Sequence, residues 1–202
     1  MGFNIEDGTG QGYLAEVDSL NRLRTFSITE PDVDAASEEG NSYNFNTGII
    51  NLTSANKSAV FYVKNNGDDP LVIPTLFYLI GNSTGGSGDV IVTVLRNPTA
   101  GTIISNATAM EMNGVNRNFG SSKSLTVDSY KGQEGNTFTD GDKVIESILN
   151  QTPTRAAISV GAIVLPKGTS IGIDITPAAG NTSVDVEFAA ASYVRSTAND
   201  GA

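Results

Sequence analysis

Asp174, Asp185 and Glu187 are the residues on strand-like segments whose type permits catalysis. Two carboxylates can divide the work of acid and nucleophile, or of acid and base, in glycoside hydrolysis. The other common catalytic sets are missing, because the 202 residues include no Cys and no His. Thiolate nucleophiles, Cys/His zinc sites and Ser-His-Asp relays are therefore excluded. All three acids fall on the outward phase of an alternating segment. The expected environment is a solvated face, whereas a catalytic acid needs a walled pocket to move its pKa. No catalytic residue, cofactor site or metal site is assigned, and the expectation is a protein that is not an enzyme.

Two further motifs resolve in the same direction. Asp140-Gly-Asp142 gathers oxygens that suit a hard cation, but it lacks the loop length and closing Glu of the calcium pattern. Asp140 or Asp142 is expected instead to cap a brief helix over 143–150, where Val144/Ile148 and Ile145/Leu149 lie four apart. The glycine-rich run from Gly81 to Gly88 has no Gly-Lys-Ser/Thr ending and leads into a strand, so it does not read as a phosphate loop.

Charge narrows the partners. Lys and Arg number 12 against 22 Asp and Glu, a net charge of −10, and such a surface repels phosphate backbones. No nucleic-acid partner is expected. No apolar run reaches the length of a membrane span and no secretory signal opens the sequence, so no membrane partner is expected either, and synthesis in a cytoplasm is. Without disulfides the fold must be held by its core.

The elements that position these residues are strands. Tyr43 to Ile80 is the densest strand-forming block. Within it Tyr43 and Phe45 alternate in one phase and Ile50 and Leu52 in the other, so Gly48 between them is expected to be a bulge that shifts the register. Leu71 to Ile80 is apolar on both faces, with Leu71, Ile73, Phe77 and Leu79 on one and Val72, Leu76, Tyr78 and Ile80 on the other. Either both faces are covered within the fold or one meets another subunit. Downstream, Ile171, Ile173 and Ile175 alternate with outward Gly172, Asp174 and Thr176, and Val184, Val186 and Phe188 repeat the pattern. Ala189 to Ala191 is small enough for close approach of another sheet or subunit.

Ahead of this block, residues 1–40 read as an extended arm carrying Leu14, Val17, Leu20 and Leu23, and Pro31 with its acidic neighbours is expected to break regular structure as far as Glu39. Residues 196–202 read as a polar tail. About eight to ten short strands at this turn spacing give an all-β, antiparallel two-sheet β-sandwich of jelly-roll type over 41–195, with at most one short helix.

Val17 to Arg24, Gly40 to Ser54 and Ala59 to Val72 resemble a class of tailed-bacteriophage virion proteins, and Leu165 to Pro177 is similar to the closing hairpin of jelly-roll proteins in virus particles. The resemblance covers about half of the chain and rests on structural motifs. It implies a non-enzymatic capsid decoration or cement protein on the virion surface, often a trimer, that braces the major capsid protein with an N-terminal strap. On that basis Leu14, Val17, Leu20 and Leu23 are expected to bind the partner, and Leu76, Tyr78 and Ile80 to form an oligomer face. The alternative is a receptor- or glycan-binding module of a tail fibre, working through the loops at 81–88 and 114–136.

Overall fold

The computed structural model describes residues 32–53, 55–81, 89–107, 110–150, 154–158, 162–179 and 183–195. In chain order these form α1 (Asp32–Glu38), β1 (Ser42–Asn46), β2 (Ile50–Leu52), β3 (Ser58–Asn65), β4 (Leu71–Gly81) and β5 (Asp89–Arg96). There follow α2 (Thr102–Ser105), β6 (Val115–Asn116), β7 (Val127–Lys131), β8 (Asp142–Asn150), β9 (Thr154–Ile158), β10 (Ile163–Leu165), β11 (Ser170–Pro177) and β12 (Val184–Val194). One sheet runs β10-β4-β12-β1-β6, with β2 added to β12 and β9 to β4, and the other runs β7-β3-β11-β5-β8. Every pairing between named strands is antiparallel.

The pairs are nested. β1 lies beside β12, β3 beside β11, β4 beside β9 and β5 beside β8, which is a long antiparallel ribbon rolled into two sheets, the jelly-roll arrangement. Between the sheets lies the main core, with Phe45, Phe61, Leu71, Ile73, Leu76, Ile173, Ile175 and Phe188 almost or wholly removed from solvent. Phe45 and Phe61 meet edge to face with centroids 6.5 Å apart, the geometry that aromatic quadrupoles favour.

Strands that look apolar on both sides reach this core through bulges. Across Gly48 the register on β12 slips by one residue, from Asn46 opposite Ala189 to Ile50 opposite Val186. Gly48 holds φ +62° there, so the phase change anticipated at that glycine is present. In β3 the register on β11 shifts between Phe61 and Ala59. That places both Val60 and Phe61 in the main core, while Ala59 and Tyr62 face outward. In β4 one extra residue falls between Val72 and Thr75 relative to β12. Leu71 and Ile73 therefore point inward on one side of Pro74, and Leu76, Tyr78 and Ile80 on the other.

Two short layers cover parts of the outer faces. Ala36 of α1 packs on Val72 and Tyr193, with Val33 beside them, and the Tyr193 hydroxyl donates to the Asp32 carboxylate at 3.3 Å. The segment around Pro31 to Glu39, expected to be irregular, is thus helical from Asp32, and the compact unit that holds the sandwich starts there. An amphipathic turn with a sheet face to lie on gains burial that an isolated acidic linker would lack. On the other sheet, α2 and the 132–138 loop close over Ala59, Tyr62, Leu95, Ile103 and Phe138. The helix expected over 143–150 is strand β8 instead.

Gly132 has its place because its amide donates to the Val60 carbonyl at 2.9 Å and an added Cβ would lie 1.8 Å from the Ala59 carbonyl oxygen. Gly132→Ala is expected to prevent normal closure of this layer. Gly48→Ala, which meets open space, should cost only about 1 kcal/mol of left-handed strain. Thermal unfolding of the two variants checks the order.

Candidate interaction surface and a buried acid

Leu76, Tyr78 and Ile80 do not form an oligomer face. They are 1%, 6% and 3% exposed and sit in the core between the sheets, because the bulge at 73–74 reverses the phase read from simple alternation. The opposite side of β4 is the accessible one. Phe77 is 47% exposed there, opposite Ala189 in the neighbouring strand, and a shallow groove runs past Phe77, Ala189, Ala191, Asn44 and Asn46. Ala189 and Ala191 line this groove, while Ala190 between them points into the core. Leu14, Val17, Leu20 and Leu23 lie outside the described residues.

A second apolar feature was not singled out from sequence. Phe119 is 97% exposed, at the tip of a loop that is tied to the C-terminal end of α1 by side-chain hydrogen bonds. Asn118 Nδ2 donates to the Glu38 carbonyl at 3.0 Å, Lys123 Nζ to the Glu39 carbonyl at 2.8 Å, and Asn116 Nδ2 to the Gly40 carbonyl at 2.9 Å. The loop backbone is further fixed by Gly120 N donating to Asn118 Oδ1 at 3.0 Å. The braced loop has already lost backbone entropy that binding would otherwise cost. The only sequence signal was a lone Phe between Asn and Gly in a polar stretch.

The acids separate into different environments. Asp185 and Glu187 face outward on β12 as expected, and each accepts from an asparagine on an adjacent strand: Asn51 Nδ2 to Asp185 at 2.7 Å and Asn46 Nδ2 to Glu187 at 2.9 Å. Asp174 has the expected outward phase, yet it is fully buried, because that face of β11 is roofed by α2 and the 132–138 loop. Lys57 Nζ lies 2.6 Å from its Oδ2, and neither carboxylate oxygen has another partner. Burial pushes the Asp174 carboxyl above its ordinary range, with the Lys57 ammonium opposing that shift.

Asp140 and Asp142 cap no helix. The Asp140 carboxylate accepts from the Thr99 hydroxyl and from the amides of Thr99 and Ala100 at 2.8 and 2.9 Å, pinning the 97–100 turn, while Asp142 pairs with Arg96 at 2.5 Å. Among the described residues no group of three or more Asp, Glu, His or Cys is arranged to hold a metal. A polar cleft of about 510 Å³ is lined by Glu111, Asn113, Ser124, Asp128 and Tyr130, among others. Burial, then the charges of Asp128 and Glu111, raises the Tyr130 phenol above its ordinary pKa.

No protein-family model matches the chain, and no curated protein matches it.

Leu76→Ala should cost about 2–5 kcal/mol by opening a cavity, whereas Phe119→Ser should change stability by no more than about 0.5 kcal/mol. Chemical denaturation distinguishes the two. For Asp140, hydrogen bonds from Thr99 and Ala100 hold the carboxyl below its ordinary value of 3.8. Its contribution is therefore present above that value and lost as pH falls through the depressed pKa. Asp140→Ala should be less stable than the parent at neutral pH, and the gap should close in strong acid.

Proposed function

We propose that this chain is a non-enzymatic virion structural protein, a capsid decoration or cement protein that oligomerises, as a trimer, and reinforces a phage head by binding the major capsid protein. The observation that carries the reading is Phe119, a nearly fully exposed aromatic on a loop braced from α1. Isolated exposed apolar residues are common, but one presented on a preordered loop has the form of a binding anchor. Phe77 and its alanine-lined groove supply a second apolar contact on the sheet.

The mechanism is burial. Each Å² of apolar surface removed from water between subunits contributes about 25 cal/mol, and that gain opposes any expansion that would pull the subunits apart. The N-terminal segment with Leu14, Val17, Leu20 and Leu23 would act as the strap toward the major capsid protein. The outermost strand β8, with Val144 and Ile148 exposed, offers an edge on which strand pairing would set the register. The resemblance to tailed-phage virion proteins over 17–24, 40–54 and 59–72 supports the same assignment.

The polar cleft favours a second reading, a glycan-binding module of a tail fibre. Two carboxylates, an amide and a tyrosine ring around one cavity match the hydrogen-bonding and stacking needs of a sugar.

Purified particles decide between them. A decoration protein is present in copy number comparable to the major shell protein, and Phe119→Asp should abolish attachment without unfolding the domain. A few copies confined to tail fractions, together with glycan-array binding that Glu111→Gln removes, would instead establish the second reading.

A further inference from the structure

Lys57 and Asp174 form an ion pair unlike the other three among the described residues. Arg96–Asp142, Lys143–Glu146 and Lys167–Asp68 have both side chains substantially exposed, whereas Asp174 is at 0%. A buried carboxylate ordinarily collects several donors. Asp174 has a single partner, Lys57 Nζ at 2.6 Å from Oδ2. The surroundings are mixed: Ala59 stands opposite Asp174 across the β3 bulge and the buried Thr93 opposite it on β5, while Leu95, Ile103 and Phe138 form the covering layer.

We propose that Lys57 and Asp174 are the reacting partners of an intramolecular amide cross-link, an isopeptide bond that joins the residue preceding β3 to the middle of β11. Burial favours the protonated form of the Asp174 carboxyl, and the reactive neutral pair forms when one ammonium proton passes to it across the 2.6 Å contact. The free amine of Lys57 then attacks Asp174 Cγ. The Nζ–Cγ bond forms, the Cγ–O bond breaks, and the hydroxyl leaves as water with a second proton from the nitrogen. No oxidant or external reactant is required. The fold supplies proximity, which turns a slow bimolecular condensation into an intramolecular one. The half-exposed Lys57 side chain, at 53%, leaves the product water a way out.

The bond would staple two neighbouring strands and enclose more than half of the chain in one covalent loop, in a protein with no cysteine to do so by oxidation. The inference stands apart from the capsid assignment, since it follows from the pair and its burial wherever the protein acts.

The test is mass spectrometry on the full chain under denaturing conditions, with peptide mapping. The expected result is a mass lower by one water, a branched peptide containing both Lys57 and Asp174, and no tryptic cleavage after Lys57. Lys57→Arg keeps the charge but cannot yield the lysine amide, so it should show the full sequence mass with an unchanged circular dichroism spectrum. A parent protein of full mass, cleaved normally after Lys57, would overturn the proposal. A lost water that maps elsewhere, such as a cyclised Asp140-Gly141 or Asp7-Gly8, would overturn it equally.

Discussion

Burial between the two sheets is the constraint on which everything else in this protein depends. No disulfide is available, and the ion pairs among the described residues, apart from Lys57–Asp174, lie at the surface, where such pairs contribute little. Phe45, Phe61 and Phe188, each at 0% exposure, fill the space between the sheets with aliphatic residues from β3, β4, β5, β11 and β12 around them. Strand alternation places only every second residue inside. The register shifts near Gly48, Val60 and Pro74 are what let such densely apolar strands direct their side chains inward without leaving half of them in water.

Much of this was legible in the residues, and the failures have definite causes. Tyr43 and Phe45 against Ile50 and Leu52, with a glycine between, announced a phase change that the register on β12 shows. The β11 and β12 patterns placed their core residues correctly. In β4 the same reasoning chose the wrong face for Leu76, Tyr78 and Ile80, because it carried one phase past Pro74. A proline inside a strand is confined to edges and bulges, so Pro74 was the available warning. At β8, a spacing of four is a multiple of the strand period as well as close to one helical turn, so Val144/Ile148 and Ile145/Leu149 could not distinguish the two. Antiparallel pairing of β8 with β5 settles it.

Asp174 teaches a different limit. Its phase was read correctly as outward, but outward means solvent only when nothing lies above the sheet. The roof over that face comes from 132–138 and α2, distant in sequence and without a pattern of their own, and Gly132 and Gly172 permit the close approach. Likewise, α1 covers Val72 and Tyr193 although its sequence is small and acidic. The prominence of Phe119 depends on asparagine and lysine side chains reaching the carbonyls at the end of α1, a relation that no local spacing encodes.

The place of β12 has a consequence for how the molecule is made. It is the last of the described strands to leave the ribosome, yet it pairs with β1, β2 and β4 at once and so occupies the middle of its sheet. Until it arrives, β1 and β4 have no shared neighbour, and Phe45, Leu76 and Tyr78 lack the strand that brings Phe188 against them. Nested long-range pairing of this kind folds slowly and exposes strand edges on the way. The nascent chain therefore waits, with an open gap at the centre of one wall, for its final ribbon to close it.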